Sequence, residues 1–135
     1  MIVADASIIL AWAYGEPNAH LATPVLRRIA RDGAVVPPIW PMEIANSLEL
    51  SVLRKRISIV QSDELRADIR QLAIRIEELS VQRIWDDVSA LSRMHGLTIY
   101  DASYLELAVR QQLPLASFDQ QLADAARAAG VPVLP

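Results

Sequence analysis

At 135 residues, with 53% hydrophobic and 21% charged side chains, the chain is long enough for one well-filled core and too apolar to be a disordered tail. It has no cysteine, which excludes a disulfide framework and a thiolate zinc site. The net charge of −3 still leaves a polyanion partner open, because four acids singled out below outweigh the whole imbalance and a cation among them would offset it locally.

No apolar run approaches the roughly 20 residues of a membrane-spanning helix. The N-terminus carries no basic residue ahead of Asp5, so no secretory signal is read there. A soluble cytoplasmic protein, organised as a single domain over residues 1–135, is the expectation.

In chain order, Ile2, Val3 and Ala4 form a short apolar run that Asp5 ends, and residues 8–14 follow as two helical turns, the pattern of a buried strand feeding a helix. Gly15-Glu16-Pro17 breaks that helix. Residues 20–32 carry Leu21, Val25, Leu26 and Ile29 at helical spacing, and Gly33 stops them. Ala34-Val35-Val36 reads as a second strand closed by Pro37-Pro38. With Pro41 in its first turn, a third helix covers residues 42–56, and a fourth covers 65–77 with Ser62 as N-cap. Leu79-Ser80-Val81 is read as the third strand, residues 84–95 as a fifth helix ending before Gly96, and residues 100–111 as a sixth. Leu115-Ala116-Ser117 is the fourth strand, residues 120–129 a seventh helix before Gly130, and residues 131–134 the last strand. There is no internal repeat, linker or low-complexity segment.

Short strands joined by helical crossovers pair in parallel, and right-handed crossovers bring every strand's carboxyl end to one edge, where open α/β sheets bind ligands. Four acids arrive there. Asp5 ends the first strand, Glu43 opens the third helix, Asp101 opens the sixth, and Asp119 follows the fourth strand; Asn46 lies one turn beyond Glu43 on the same face. Each acid also has a plain structural role open to it. Asp5 and Asp119 suit N-caps, Glu43 suits a first-turn charge on the helix dipole, and Asp101 suits the returning half of a capping box with Thr98. Those roles leave unexplained why all four share one edge, where carboxylates repel each other unless a cation sits among them. An all-oxygen donor set points to Mg²⁺ or Mn²⁺.

The stretches MIVADAS, PPIWPMEIANSL, HGLTIYDASYLELA and LPLASFDQQL, in that order and spacing, resemble the PIN-domain family, and within it the VapC-type toxins of bacterial toxin–antitoxin pairs. The resemblance runs from Met1 to near Pro135 and is most specific over residues 96–108. It implies a three-layer α/β/α fold, with a five-stranded parallel sheet flanked by about seven helices. It further implies Mg²⁺- or Mn²⁺-dependent endoribonuclease activity, a cognate antitoxin that inhibits the site, and a homodimer. By the same resemblance Asp5, Glu43 and Asp101 match three central acids and Asp119 a variable fourth. Ser7, Thr98 and Ser117 match hydroxyls that orient carboxylates or waters, and Asn46 is similarly placed beside Glu43. Phe118 stands where a smaller residue is expected.

Arg54-Lys55-Arg56, the densest basic run, reads either as a solvated helix end or as a patch that contacts RNA phosphates. The third helix, with Leu48, Leu50, Val52 and Leu53 around much of its circumference, reads either as fully buried or as the contact for a second copy or an antitoxin. Two other functional readings compete: a PIN-type nuclease that processes RNA without being a toxin, and a Mg²⁺-binding receiver-like signalling module. A receiver needs a lysine late in the sheet, whereas Lys55, the only lysine, falls at a helix end.

Overall fold

Strand β1 (Ile2–Ala4) is apolar on both faces, and all three of its side chains are completely buried, so it takes the centre of a sheet. In the computed structural model, which describes residues 1–135, β1 pairs with β2 (Ala34–Val36) on one side and β4 (Leu115–Ala116) on the other. β3 (Ile74–Ile76) and β5 (Val133–Leu134) take the edges. All pairings are parallel, in the order β3-β2-β1-β4-β5, with Val3 opposite both Val35 and Leu115.

Helices α1 (Ala6–Tyr14), α2 (Ala19–Asp32), α3 (Ile39–Leu53) and α4 (Ile59–Arg70) fill the crossovers that lead outward from β1 to β3. The strand order then reverses. Helix α5 (Val81–Arg83) runs through a π-helical turn (Ile84–Val88) straight into α6 (Ser89–His95), so these pieces are one physical helix and the flanking helices number seven. It is followed by α7 (Ile99–Gln111) before β4, and α8 (Gln120–Ala128) connects β4 to β5. Right-handed crossovers place α1 to α4 on one face and the remaining helices on the other. The result is the expected three-layer α/β/α architecture. Ile8 and Ile9 of α1, Leu48 of α3, and Tyr104, Leu105 and Leu107 of α7 are all closed off from solvent in one contiguous core. Each such side chain stabilises the fold by about 1.5–3 kcal/mol.

The sequence expectations differ from the structure around the third and fourth crossovers. Helix α3 starts at Ile39, not at residue 42, because Pro41 is accommodated within the first turn, whose N–H groups have no helical partner. It also stops at Leu53, since Lys55 adopts a left-handed conformation with φ 56°. Helix α4 begins at Ile59, where Ser58 and Gln61 form a reciprocal capping box of 3.0 and 2.8 Å, and Ser62 is a buried residue inside the helix. Its end at Arg70 frees Ile74-Arg75-Ile76 to become β3, which the helical reading had absorbed. Leu79-Ser80-Val81 is therefore not a strand: Ser80 is the N-cap of α5, accepting a 3.1 Å bond from the Arg83 N–H. Of the remaining elements, the fifth helix begins at Val81, three residues before its expected start, and the others match to within two residues; in the π turn the Ile84 carbonyl accepts from the Ser89 backbone N–H and also from the Ser89 hydroxyl at 2.9 Å. No helix is long and apolar enough to cross a membrane.

Candidate active site

The carboxyl edge of the sheet carries a pocket of about 460 Å³ in which Asp5, Glu43, Asp101 and Asp119 meet, with Ser7 and Asn46 on its wall. Asp5 sits there because its backbone continues β1: its N–H donates to the Ala116 carbonyl at 2.9 Å, locking the end of β1 to β4. Although Asp5 occupies the N-cap position of α1, its side chain makes no capping hydrogen bond. Instead the hydroxyls of Ser117, at 2.6 Å, and Ser7, at 2.8 Å, both donate to its Oδ2. The same two hydroxyls accept in turn, Ser117 from the Asp119 N–H at 2.9 Å and Ser7 from the Phe118 N–H at 3.0 Å. The carboxylate is clamped through one oxygen, and Oδ1 has no side-chain partner.

Asp119 does both jobs foreseen for it. Its Oδ1 caps α8 by accepting from the Leu122 N–H at 3.0 Å, and the residue still lines the pocket. Phe118 turns toward the apolar core and leaves Asp119 on the wall. At the start of α7 only half of a capping box exists: Thr98 accepts from the Asp101 N–H at 3.1 Å, and no bond returns from the Asp101 carboxylate to Thr98. Thr98 itself does not line the pocket, and neither does Ser117; each acts on an acid from behind. Glu43 is held by Tyr104, whose hydroxyl donates to Oε1 at 2.5 Å.

Tyr104 is not among the residues that the sequence singles out. It lies three residues after Asp101 and so shares that face of α7, a spacing that carries the signal. Likewise Ser47 and Ser51, four and eight residues beyond Glu43, share its face of α3 and line the same pocket, hydrogen-bonded to Tyr14. Of the basic run, Arg54 and Arg56 line the pocket and Lys55 does not. The expectation that α3 is apolar around its circumference resolves by position: Leu48 is in the core, Leu50 lines the pocket, and Leu53 is exposed.

The electrostatics are those of crowded anions. Burial raises the Asp5 carboxyl above its ordinary range, against the lowering effect of the two serine hydroxyls, and Asp119 raises it further. Glu43 is raised by burial and by Asp5 and Asp101, with the Tyr104 bond opposing. Asp101 is raised by burial and then by Asp119 and Asp5. Burial and the two neighbouring carboxylates push the Tyr104 hydroxyl far up, so it remains a donor. None of the four acids is in an ion pair.

The donor set fits a hard divalent cation. It is all oxygen, with neither histidine nor cysteine on the pocket wall. No three of the acids form a closed ligand cluster by themselves. The all-oxygen chemistry is that of Mg²⁺, which keeps several waters and takes one or two carboxylates, rather than of zinc in a nitrogen- and sulfur-rich cage.

A carboxylate-lined cleft at the carboxyl edge of a five-stranded parallel sheet, sandwiched between helices, is the class of protein that fold and site define. The profile of the PIN domain matches residues 2–128, and the chain belongs to the PIN-domain family. Among solved structures, PAE2754 from Pyrobaculum aerophilum is 21% identical with a TM-score of 0.70, covering 98% of this chain and 82% of its own. A chain of a toxin–antitoxin complex from Klebsiella pneumoniae is 20% identical with a TM-score of 0.66, covering 100% and 97%. Mycobacterium tuberculosis VapC20, described as a sarcin–ricin loop cleaving toxin, is 15% identical with a TM-score of 0.68 over the full length of both chains. At these identities the likeness is one of fold. No curated protein sequence matches the chain significantly.

Proposed function

We propose that this chain is a Mg²⁺- or Mn²⁺-dependent endoribonuclease, the toxin of a toxin–antitoxin pair, acting in the cytoplasm. The observation that carries the reading is the convergence of four carboxylates in one open pocket with no cationic side chain paired to any of them, in a PIN-domain chain. VapC20, which shares the fold, is described as a sarcin–ricin loop cleaving toxin, and another fold relative is part of a toxin–antitoxin complex.

In this reading Asp5 and Asp101 hold the cation directly, Glu43 directly or through water, and Asp119 a water or a second ion. Such a cation, when bound, acidifies water and stabilises charge on phosphate oxygens. Ser7 and Ser117 keep Asp5 in one orientation, Tyr104 does the same for Glu43, and Thr98 fixes the first turn of α7 under Asp101. Asn46 offers an amide beside Glu43. The net reaction adds water across the P–O3′ bond of RNA. No histidine lines the pocket, so its carboxylates are the side chains available to take a proton.

The antitoxin would silence the site by covering it. The homodimer implied by the family resemblance would bury an apolar groove of about 360 Å³ beside the pocket, where Met42 and Tyr100 are 67% and 60% exposed. The experiment that tests the activity is cleavage of labelled RNAs by partner-free protein with Mg²⁺, Mn²⁺ or EDTA, alongside Asp101→Asn. Cleavage that needs metal and is lost in the variant is the expected result. Cleavage that survives both EDTA and Asp101→Asn would overturn the account.

A further inference from the structure

The pocket has a second end that the carboxylates do not occupy. Along α3 and its C-cap residue Arg54, Glu43, Asn46, Ser47, Leu50, Ser51 and Arg54 follow at helical spacing and all line it, so one face of this helix forms a continuous wall. At the helical rise, Glu43 and Arg54 lie about 16 Å apart along the axis. Beyond Leu53 the chain does not run on. Lys55 takes a left-handed conformation, φ 56°, and the Arg56 N–H turns back to bond the Ser51 carbonyl at 2.9 Å. A left-handed non-glycine residue costs about 1–3 kcal/mol. Its effect is to bring Arg54 and Arg56 to the pocket together and to leave Lys55 outside. Both arginines are exposed, and neither is in an ion pair.

Between the arginines and the acids sits a group of three hydroxyls. Tyr14 Oη contacts Ser47 Oγ at 2.9 Å and Ser51 Oγ at 3.0 Å. Each contact uses one hydroxyl proton, and the trio has one proton per hydroxyl, so one donor is left over for an incoming acceptor. Two unpaired guanidinium groups and a spare hydroxyl donor are a match for a phosphate group. Along the axis Ser51 lies about 12 Å and Arg54 about 16 Å from Glu43, which sets a phosphate gripped by the arginines apart from one held at the acids.

We infer that the Ser47–Ser51–Tyr14 hydroxyls with Arg54 and Arg56 form a phosphate-binding subsite, which grips a backbone phosphate of single-stranded RNA away from the bond being cut. This rests on the proposed nuclease reading and deepens it: the acids act on one phosphate while the far end of α3 holds another, setting how the strand lies along the pocket.

The test is fluorescence anisotropy of a labelled ten-nucleotide single-stranded RNA in EDTA, over a range of salt concentrations, so that binding is read without cleavage. One phosphate contact on a single strand contributes about 0.7 to the slope of log K against log salt. Arg54→Ala/Arg56→Ala is expected to lower that slope by about 0.7 and to weaken binding about tenfold at low salt. Lys55→Ala, which removes a charge from the same turn but not from the pocket, is expected to leave the slope unchanged. Ser51→Ala is expected to weaken binding with no change in slope, because it removes a neutral donor. An unchanged slope in the double variant, an equal loss in Lys55→Ala, or no RNA binding by the wild type would overturn the subsite. Loss of metal-dependent cleavage is read separately through Asp101→Asn, so either idea can fail alone.

Discussion

Ser117→Ala is the substitution that most directly probes how the pocket is held. The hydroxyl is buried and makes two bonds, a 2.6 Å donation to the Asp5 carboxylate and a 2.9 Å acceptance from the Asp119 N–H. A hydrogen bond to a charged group contributes about 1.5–3 kcal/mol and a neutral one about 0.5–1.5 kcal/mol. Because Ser7 still donates to the same oxygen, the lower half of the combined range applies, about 2–3 kcal/mol. For a chain of this size that corresponds to a fall in Tm of roughly 6–15 °C. Differential scanning calorimetry in EDTA measures it. The charge-assisted part exists only while Asp5 is ionised, and burial raises the Asp5 carboxyl, so the deficit should be larger on the alkaline side of the Asp5 titration than on its acidic side. An equal deficit at both ends of that range, or none at either, would refute the claim that the hydroxyl acts on a carboxylate charge.

The metal-free protein holds Asp101 with a raised pKa, so its folded state binds a proton more readily than its unfolded state, and stability from this group is lost as pH rises above the ordinary Asp range. Asp101→Asn should therefore gain Tm relative to the wild type between pH 4 and 7.5, by an amount on the order of a few degrees, and millimolar Mg²⁺ should close the gap by stabilising the wild type alone. Tyr104→Phe removes the bond that lowers the Glu43 carboxyl, so Glu43 should titrate at higher pH and Mn²⁺ affinity, read by calorimetry, should fall about tenfold or more. Ser58→Ala should cost about 1 kcal/mol through loss of the α4 capping box, read as a fall in Tm of the metal-free protein.

Much of the fold was legible because its boundaries carry sharp stops. Gly33 before β2 and Pro37-Pro38 after it leave only Ala34–Val36 to be a strand. β3 was missed for a physical reason: as an edge strand it hides little of itself, Arg75 and Ile76 being exposed, so the apolar pressure that marks β1 is absent from it. The π turn has no residue signature at all. For the pocket, parallel topology alone placed the four acids on one edge, but not the partners behind them. Whether Thr98 capped the helix alone or bonded Asp101 in both directions turned on a backbone geometry that spacing does not report. Tyr104 was hidden by its own hydrophobicity, since a completely buried tyrosine reads as core until its hydroxyl is seen on Glu43.

The sequence separation of 112 between Asp5 and Ser117 bears on how such a chain is made. β1 cannot be flanked by β4, nor Asp5 oriented, until everything between them has left the ribosome. An interrupted product holds at most three of the four acids and lacks the strand that positions the first. Translation thus imposes its own delay, keeping the pocket unassembled through most of synthesis without any inhibitor. A single cut in one of the intervening loops, if it let the pieces part, would return the chain to that unassembled state.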